Sequence, residues 1–454
     1  MDTSLYSRVV VKFREAGGEA CLLPLLPQFP GATAARLFLS VDAETIAVWV
    51  LKARRSDTAY TPPDFNTYYG ISCPGQPQAR SLLRHLCEQK AVELAYMENG
   101  FETPPGSSAP DSGLPAPDYT RQGYLAPAPL GIGAHYAWQL PGGRGESGIR
   151  FIDIEQGWML YHEAVIPRQL ACTGPSHPAS AGHGTAVLGI LSMQPGEDGP
   201  TGIVPQADGY VLSQWRPGGE LNTADAIMAA IGYLHPGDVL LVEAQARHAA
   251  TGDKTWPIEI HEAAFQAIRL AVALGITVIE PAGNGRLDSP EGNDLDAFLS
   301  GGKDILNPSG DHFRDSGAVM VAAAGSTVPH IRLPFSNYGR RVSCYAWGQS
   351  VLTAGSYPRS PGIAVNTYTA GFGGTSAAAA IVAGAAIAVQ SIAEAAGRSR
   401  LSPPQLRSLL SDPALGTPSA GGDDDKIGPM PDLQKLLGEA LRIIPPLRGA
   451  APRR

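Results

Sequence analysis

The chain has 454 residues, of which 44% are hydrophobic and 17% charged, so it can bury a large core and form a main domain plus a smaller one. This composition excludes disorder throughout. The formal net charge of −8 gives no electrostatic basis for binding nucleic acid or an anionic membrane surface. Five scattered cysteines without a CxxC spacing predict buried free thiols rather than a disulfide framework or a zinc site.

Residues 1–102 are predicted to form a small α+β domain without catalytic residues. Four segments have the composition of strands, and one has helical periodicity, in the order 8–13, 37–41, 45–51, 78–87 (the helix) and 91–97. The first residues contain no basic region followed by an apolar core, so we expect no secretory signal and no secretory export. That pattern favours a cytoplasmic location or an unconventional export route.

A second, larger domain is predicted from 120 to 445, after a linker at 103–119 that is too rich in Pro, Gly and Ser to pack. Short apolar strands alternate with helices in it, and a basic, disordered tail follows at 446–454. Strands that are apolar on both faces and separated by helices predict an α/β fold with a doubly wound, mostly parallel sheet. Ligands bind at the carboxyl ends of the strands in such folds. The predicted strands cover 149–153, 208–213, 238–242, 275–279 and 318–322, and the helices 183–193, 222–234, 258–274, 403–411, 432–443 and the segment after Ser376.

Ser376 follows three glycines within four residues and precedes a helix made of Ala, Gly, Ile and Val. Its hydroxyl is therefore expected at a helix N-terminus, where unpaired N–H groups favour the negative charge that a serine attack creates on a carbonyl oxygen. The apolar run 377–389 is shorter than the roughly 20 residues that span a bilayer, so a buried helix is favoured over a membrane span. A helix-capping serine without chemistry is the alternative.

Three further residues stand at positions suited to chemistry. Asp153 is expected to end a strand at the carboxyl edge of the sheet, His183 lies between two glycines at a helix start, and Asn284 follows an apolar strand. Each also has an ordinary structural interpretation, as a turn-capping carboxylate, a solvated histidine or an Asn-Gly turn. Asp, His and Ser in this chain order, with Asn between His and Ser, follow the order known from subtilisin.

The sequence resembles the subtilisin-like serine proteases, the subtilases, over roughly 120–445. The resemblance rests on Gly-His-Gly-Thr at 182–185, on Gly-Thr-Ser-Ala-Ala-Ala at 374–379 and on Ser-Asn-Tyr-Gly at 336–339. It implies a subtilisin-like fold and a serine endopeptidase that hydrolyses peptide bonds through an acyl-enzyme. In that scheme Ser376 is the nucleophile, His183 the general base, Asp153 the group that orients the imidazole, and Asn284 the oxyanion donor.

The sequence departs from the family after Asp153, where Ile-Glu-Gln-Gly-Trp replaces a small hydroxyl residue and glycine, so Glu155 is the fallback for the acid. The substrate-binding positions implied by the resemblance are Glu243, Ala244, Gln245 and Gly283. Glu243 or Glu280 could make the first specificity pocket acidic and favour basic residues before the cleaved bond. The favoured alternative is that these glutamates pair with internal arginines or face away from the pocket.

The resemblance also implies that the N-terminal domain is an inhibitory pro-segment, bound in the chain's own cleft and removed by self-cleavage within 98–119. Protein or peptide substrates are then the other partners, with no nucleic acid and no membrane span. The loop 285–317 carries seven aspartates and glutamates, and subtilases often bind calcium through such loops. Because the spacing matches no EF-hand, a solvated loop is favoured, and no metal site or cofactor is predicted.

Two other functions stay open for a subtilase-like chain. The same catalytic residues could pass the acyl group to an amine, as in peptide-cyclising relatives, if the cleft excludes water. A silent subtilase fold could instead serve as a binding or scaffold protein, although the complete set of four residues favours an enzyme.

Overall fold

The computed structural model of the protein describes most of the chain, namely residues 8–98, 119–165, 170–194, 199–248, 250–252, 254–286, 291–355 and 367–445. The predicted linker, apart from its last residue, and the predicted tail lie outside these stretches, as does Asp288 of the acidic loop.

The N-terminal unit is a four-stranded antiparallel sheet in the order β2-β3-β1-β4, packed on helices. Its strands are β1 (Arg8–Phe13), β2 (Thr33–Arg36), β3 (Tyr68–Ser72) and β4 (Val92–Glu98). Its helices are α1 (Leu22–Leu25), α2 (Ala43–Ser56) and α3 (Gln76–Cys87). A separate cluster of buried side chains, including Phe13, Leu82 and Leu86, gives this unit a core of its own.

Two strand predictions in this unit were wrong. The segment 45–51 lies inside α2, which begins after Asp42, whose carboxylate accepts a hydrogen bond from the Thr45 N–H at 2.8 Å. That cap favours a helix over a strand, and a short apolar run does not distinguish the two by periodicity. The segment 37–41 follows β2 and is irregular.

The larger unit contains a seven-stranded parallel sheet in the order β13-β12-β11-β8-β5-β7-β6. Its strands are β5 (Arg150–Glu155), β6 (Ala171–Thr173), β7 (Asp208–Ser213), β8 (Val239–Val242), β11 (Thr277–Pro281), β12 (Val319–Ala324) and β13 (Cys344–Trp347). Every residue of β8, β11 and β12 is buried, so both faces of the sheet are covered. The predicted α/β fold with a parallel sheet is confirmed.

Helices cover the sheet in two groups. One group contains α5 (Ala181–Ser192), α8 (Gly374–Ala395) and α10 (Leu433–Ile443), with the short α4 (Ala134–Ala137) beside them. The other contains α6 (Thr223–Ile231) and α7 (Glu262–Ala273), which contact each other, and α9 (Pro403–Leu410) packs near β11. Helix α8 is long and apolar enough to cross a membrane, but it is wholly buried in the protein, as a core helix would be.

Three two-stranded antiparallel ribbons complete the larger unit. They pair β9 (Gln245–Arg247) with β10 (Thr255–Pro257), β14 (Val351–Ala354) with β15 (Tyr368–Phe372), and β16 (Gly416–Thr417) with β17 (Met430–Pro431). The first two flank the carboxyl ends of β8 and the start of α8. The first ribbon lines the region where ligands are expected, through Gln245, and Phe372 of the second packs against His183.

Candidate active site

The acidic strand β5 ends two residues later than the sequence predicts, at Glu155. Side chains alternate along a strand, so Asp153 and Glu155 point to the same face of the sheet. Both are fully buried, and β5 lies between β7 and β8 in the middle of the sheet. Two carboxyl groups, rather than one, therefore reach the edge where His183 lies.

Glu155, and not Asp153, contacts the histidine. The Glu155 Oε1 atom makes a very short hydrogen bond with His183 Nδ1, and Glu155 Oε2 accepts a bond from the Gln156 N–H at 3.3 Å. Asp153 Oδ2 instead accepts a bond from Trp158 Nε1 at 2.8 Å. Asp153 Oδ1 has no hydrogen-bond partner within the described part of the chain. The geometry thus favours Glu155, the fallback, over Asp153 as the carboxylate that orients the ring.

His183 lies in the first turn of α5 and is almost fully buried. The glycine after it allows a close approach, because a Cβ on Gly184 would lie 2.4 Å from the Gly157 carbonyl oxygen and 2.6 Å from Trp158 Cδ1. The Phe372 ring packs edge-on against the imidazole, with centroids 5.4 Å apart. The Phe372 contact and the hydrogen bond to Glu155 therefore hold the ring in one orientation.

The buried position of this cluster shifts its protonation equilibria. Burial lowers the pKa of His183, although the negative charges of Glu243 and Asp153 act in the opposite direction. Burial likewise raises the pKa of Glu155, and it raises that of Asp153 together with the charge of Glu155. The lowered pKa of the histidine and the raised pKa values of the carboxyls both favour the uncharged forms more than water would, as expected where water cannot solvate a charge.

Ser376 lies in the first turn of α8, as predicted. The preceding glycines are required by the backbone: Gly374 has a φ of +90°, and a Cβ on Gly373 would lie 2.4 Å from the Gly348 carbonyl oxygen. Ser376 is nearly buried and lines the same cleft as His183. Its backbone N–H belongs to the unpaired N-terminal donors of α8.

Asn284 follows β11 and contacts the residue beside the serine. Its Oδ1 atom accepts hydrogen bonds from the Thr375 N–H at 2.9 Å and from Thr375 Oγ1 at 3.0 Å. The backbone N–H of Asn284 donates a hydrogen bond to Gln245 Oε1 at 3.2 Å. With Oδ1 held on Thr375, the Nδ2 donor is the end of the side chain left for a ligand in the cleft.

Glu243 is a third carboxyl group in the site. It directly follows β8, where Asp153 pairs with Leu241, so Glu243 lies beside Glu155 at the sheet edge. One side-chain oxygen or nitrogen from each of Glu155, His183 and Glu243 lies within 4.8 Å of the others. The sequence resemblance assigns Glu243 to substrate binding, and its closeness to His183 could be found only from the strand register.

The cleft brings together most of the predicted site residues. Of the predicted substrate-binding residues, Glu243, Ala244 and Gln245 line it, whereas Gly283 is not among its lining residues. Gly283 has a φ of +96°, and a Cβ on it would lie 2.7 Å from Asn337 Nδ2, so the turn after β11 favours glycine here. The N-terminal unit also reaches the cleft, through Glu98 at the end of β4.

Glu280 lies elsewhere. It is fully buried in β11, with its Oε1 atom 3.7 Å from Nη2 of the buried Arg341, which also binds Glu259 through two hydrogen bonds of 2.8 Å. This arrangement fits the alternative of pairing with an internal arginine. Glu280 therefore gives no support to an acidic specificity pocket.

In the acidic loop, several described carboxylates contact basic side chains. Asp294 and Asp296 lie 3.2 and 3.1 Å from Lys426 Nζ, and Asp304 lies 3.0 Å from His312. The five cysteines are free, as predicted, but only Cys73 and Cys344 are buried, whereas Cys21 is half-buried and Cys87 and Cys172 are exposed.

The larger unit matches a known protein family. The model of the Subtilase family, Peptidase S8, matches residues 171–434, more than half of the chain. An extracellular protease of Xanthomonas campestris pv. campestris is 30% identical over 254 residues, which cover 53% of this chain and 37% of that protease. The matched family region includes His183, Asn284 and Ser376 but begins after Glu155.

Two solved structures share the fold. Fervidolysin from Fervidobacterium pennivorans, a keratinolytic enzyme related to subtilisin, aligns with a TM-score of 0.54 at 15% identity over 96% of this chain and 62% of its own. A protease from Pseudoalteromonas arctica PAMC 21717 aligns with a TM-score of 0.50 at 20% identity over 72% of this chain and 99% of its own. At these identities the likeness concerns the fold. By the match of its larger unit to the family model, the chain belongs to the Subtilase family.

Proposed function

We propose that the protein is a serine endopeptidase that hydrolyses peptide bonds through an acyl-enzyme on Ser376. The observation that carries this proposal is the imidazole of His183, oriented by a buried carboxylate in the same cleft as Ser376. A solvated histidine or a simple helix cap would need neither the buried Glu155 partner nor the convergence of three distant segments. Family membership supports the same conclusion.

In the proposed mechanism, His183 removes the hydroxyl proton as Ser376 attacks the substrate carbonyl, and later gives it to the leaving amine. Glu155 accepts the Nδ1–H bond, fixes the tautomer with Nε2 free, and stabilises the imidazolium that forms. Water then attacks the acyl-enzyme with His183 again as the base. Asp153 acts through Trp158 as a positioning residue and exchanges no proton with His183 during the reaction.

The developing oxyanion needs donors that are already oriented. Asn284 Nδ2 and the Ser376 N–H at the start of α8 supply them, because Thr375 holds the other end of the Asn284 amide. The α8 N-terminus adds favourable dipole charge at the same point. This is the role that the sequence resemblance implies for Asn284.

We also propose that the N-terminal unit inhibits the mature enzyme. Its β4 leads Glu98 into the cleft, and Arg8 holds Glu98 through a 2.6 Å ion pair while donating a 2.8 Å bond to the Leu221 carbonyl. Residues 37–40 are bound to α6: the Leu39 and Ser40 N–H groups donate to Asp225, and Asn222 donates to the Leu37 carbonyl. The chain after Glu98 starts at the cleft, so self-cleavage within 98–119 is proposed.

The test uses a fluorophosphonate probe on the purified protein and on Ser376→Ala. We expect labelling and peptide hydrolysis only in the wild type, and mass spectrometry should find a cut within 98–119 only there. Absence of labelling after removal of the N-terminal unit would favour a scaffold. Ligated instead of hydrolysed products would favour the acyl-transfer alternative. Cleavage of purified Ser376→Ala, without another protease, would contradict self-processing.

A further inference from the structure

Glu243 has no task in the mechanism proposed above, although it lies at the centre of the site. Its side chain is buried, and neither carboxyl oxygen makes a well-formed hydrogen bond to the described residues. A buried carboxyl without a partner is costly, and stable proteins rarely contain one away from functional sites. The group therefore calls for a functional explanation.

The strand register brings Glu243 against the reacting groups. Glu155 at the end of β5 and Glu243 after β8 are neighbours on one face, and the Glu243 N–H donates to the Ile154 carbonyl at 3.0 Å. The Ser376 hydroxyl is close enough to act on the carboxyl as a hydrogen-bond donor and lower its pKa. Glu243 thus faces both the nucleophile and the His183–Glu155 pair.

The charged groups around Glu243 are mostly of its own sign. Asp153 and Glu155 face it from β5, His183 faces it from α5, and the hydroxyl of Ser376 faces it from α8. On the β7 side, Gln214 Nε2 donates to the Glu243 backbone carbonyl at 3.0 Å and not to its carboxyl. Among the described residues, the groups that shift its pKa most are Glu155, His183, Asp153 and Ser376, and no lysine or arginine is one of them. Of these four, only a protonated His183 offers an ionised Glu243 a positive charge.

We propose that Glu243 is a catalytic residue that must be protonated for Ser376 to react, so that its ionisation turns the peptidase off at alkaline pH. This inference rests on the proposed peptidase function and gives the same site an internal pH limit. It involves no covalent step: the proton of Glu243 is exchanged with solvent.

Ionisation would interfere with catalysis in two ways. A carboxylate only accepts hydrogen bonds, so it would compete with His183 for the Ser376 hydroxyl proton and turn the hydroxyl away from its base. Its negative charge would also lie near the oxyanion that forms beside Asn284, in a buried site where like charges repel strongly. A protonated carboxyl has neither effect.

The direction of the pH dependence follows from burial. Burial raises the pKa of Glu243 well above its usual range, and the charge of Glu155 raises it further. Burial lowers the pKa of His183, which must be neutral to act as base. The active form thus exists between the lowered pKa of His183 and the raised pKa of Glu243. The working range is shifted towards acid compared with a triad that lacks this carboxyl.

The test measures kcat/KM for one peptide substrate from acid to alkaline pH, after removal of the N-terminal unit, in wild type, Glu243→Gln and Glu280→Gln. We expect a bell-shaped profile for the wild type. Glu243→Gln should lose the alkaline decline and exceed the wild type by roughly tenfold for each pH unit above the Glu243 pKa. Glu280→Gln is the matched control, because Glu280 is also a buried carboxyl but lies beside Arg341. It should keep the wild-type profile.

Glu243→Ser provides a second variant without a titratable group in case the glutamine does not fit. An alkaline decline that persists in both variants would overturn the proposal, as would a wild-type profile without any decline. EDTA is included throughout so that a bound metal ion cannot cause the difference. If the wild type neither reacts with the fluorophosphonate probe nor hydrolyses peptide at any pH, the proposed function fails, which this profile distinguishes from failure of the Glu243 proposal.

Discussion

Two buried clusters of acidic side chains each include strand residues of the parallel sheet, and they differ in the basic side chain that they surround. The first cluster, at the site, has the histidine His183 at its centre and consists of Asp153, Glu155 and Glu243. The second, the Arg341 cluster, consists of Glu259 and Glu280 around a fully buried arginine, with Asp315 at its edge. A guanidinium stays charged at every pH that the fold tolerates, whereas an imidazole loses its charge near neutrality.

This difference suits the Arg341 cluster to a structural role and the site cluster to a catalytic one. Arg341 makes two 2.8 Å bonds to Glu259, and its charge is further favoured by Asp315 and Glu280, so the Arg341 cluster has a fixed balance of charge. Among the described residues, the site cluster has no lysine or arginine paired with its carboxyl groups, so its charge depends on how protons are shared between the carboxyls and the imidazole. A group that exchanges protons near working pH is what general-base catalysis needs. Strand β11 joins the two, since Glu280 lies within it and Asn284 follows its end.

The largest expected effect separates the two carboxyls of β5. Glu155→Gln should lower kcat by about 10⁴-fold, because an amide can donate to Nδ1 and stabilise the wrong tautomer, as in the corresponding aspartate-to-asparagine change of the chymotrypsin triad. Steady-state kinetics on the mature enzyme measures this. Protein folding is checked by circular dichroism.

Asp153→Asn is the matched control for that experiment. Because Asp153 contacts Trp158 and not the imidazole, we expect a reduction of about tenfold or less. If Asp153→Asn proves as damaging as Glu155→Gln, or more so, the assignment of Glu155 as the orienting acid is wrong and the original assignment of Asp153 is restored.

The second prediction concerns the Arg341 cluster. Arg341→Met should lower the free energy of unfolding by about 3–5 kcal/mol, because it leaves Glu259 and Glu280 buried without their cation. Urea unfolding in the Ser376→Ala background, where self-digestion is prevented, gives the value. An effect on activity without a loss of stability would contradict the structural role of this cluster.

The third prediction tests the link along β11. Asn284→Ala should lower kcat by about 10²–10³-fold with little change in KM, the loss known for the oxyanion asparagine of subtilisin. Asn284→Asp is the informative partner variant, because it keeps the Thr375 contacts through its oxygen but removes the Nδ2 donor. Activity close to wild type in both variants would remove Asn284 from the mechanism.

The sequence predicted the parallel sheet and the positions of His183 and Ser376 because each depends on local rules. Apolar strands between helices predict the sheet, and glycines before a hydroxyl at a helix start predict a sharp backbone turn that can approach a ligand closely. The choice between Asp153 and Glu155 could not be made this way. The two alternate residues share one face of β5, and only the length of the strand in the folded sheet decides which reaches His183.

Contacts between distant segments were also beyond local reasoning. Glu280 and Arg341 are 61 positions apart, and their pairing depends on how β11 meets the segment before β13. Likewise, residues 45–51 have the composition of a strand, but the Asp42 cap and packing on α7 make them helical. In each case tertiary contacts outweighed the local preference.

The smallest expected effect is a stability difference that compares the two clusters directly. In the unfolded chain Glu243 ionises at an ordinary carboxyl pKa, but in the folded protein its pKa is raised by burial and by the charge of Glu155. The stability that it contributes is therefore fully present below the ordinary carboxyl pKa and is lost as pH rises towards the folded-state value. Glu243→Gln removes this loss of stability at alkaline pH, because a glutamine does not ionise. The variant should therefore be more stable than the wild type by about 1–3 kcal/mol at alkaline pH, which is the usual cost of an unsatisfied buried group, and should gain nothing at acid pH. Glu280→Gln should gain less stability, because the charge of Arg341 offsets part of the same penalty. Urea unfolding of both variants at acid and at alkaline pH, in the Ser376→Ala background, measures the difference. Equal gains in stability for the two variants would mean that the nearby Arg341 does not reduce the cost of burying Glu280. The proposed difference between the two clusters would then be wrong.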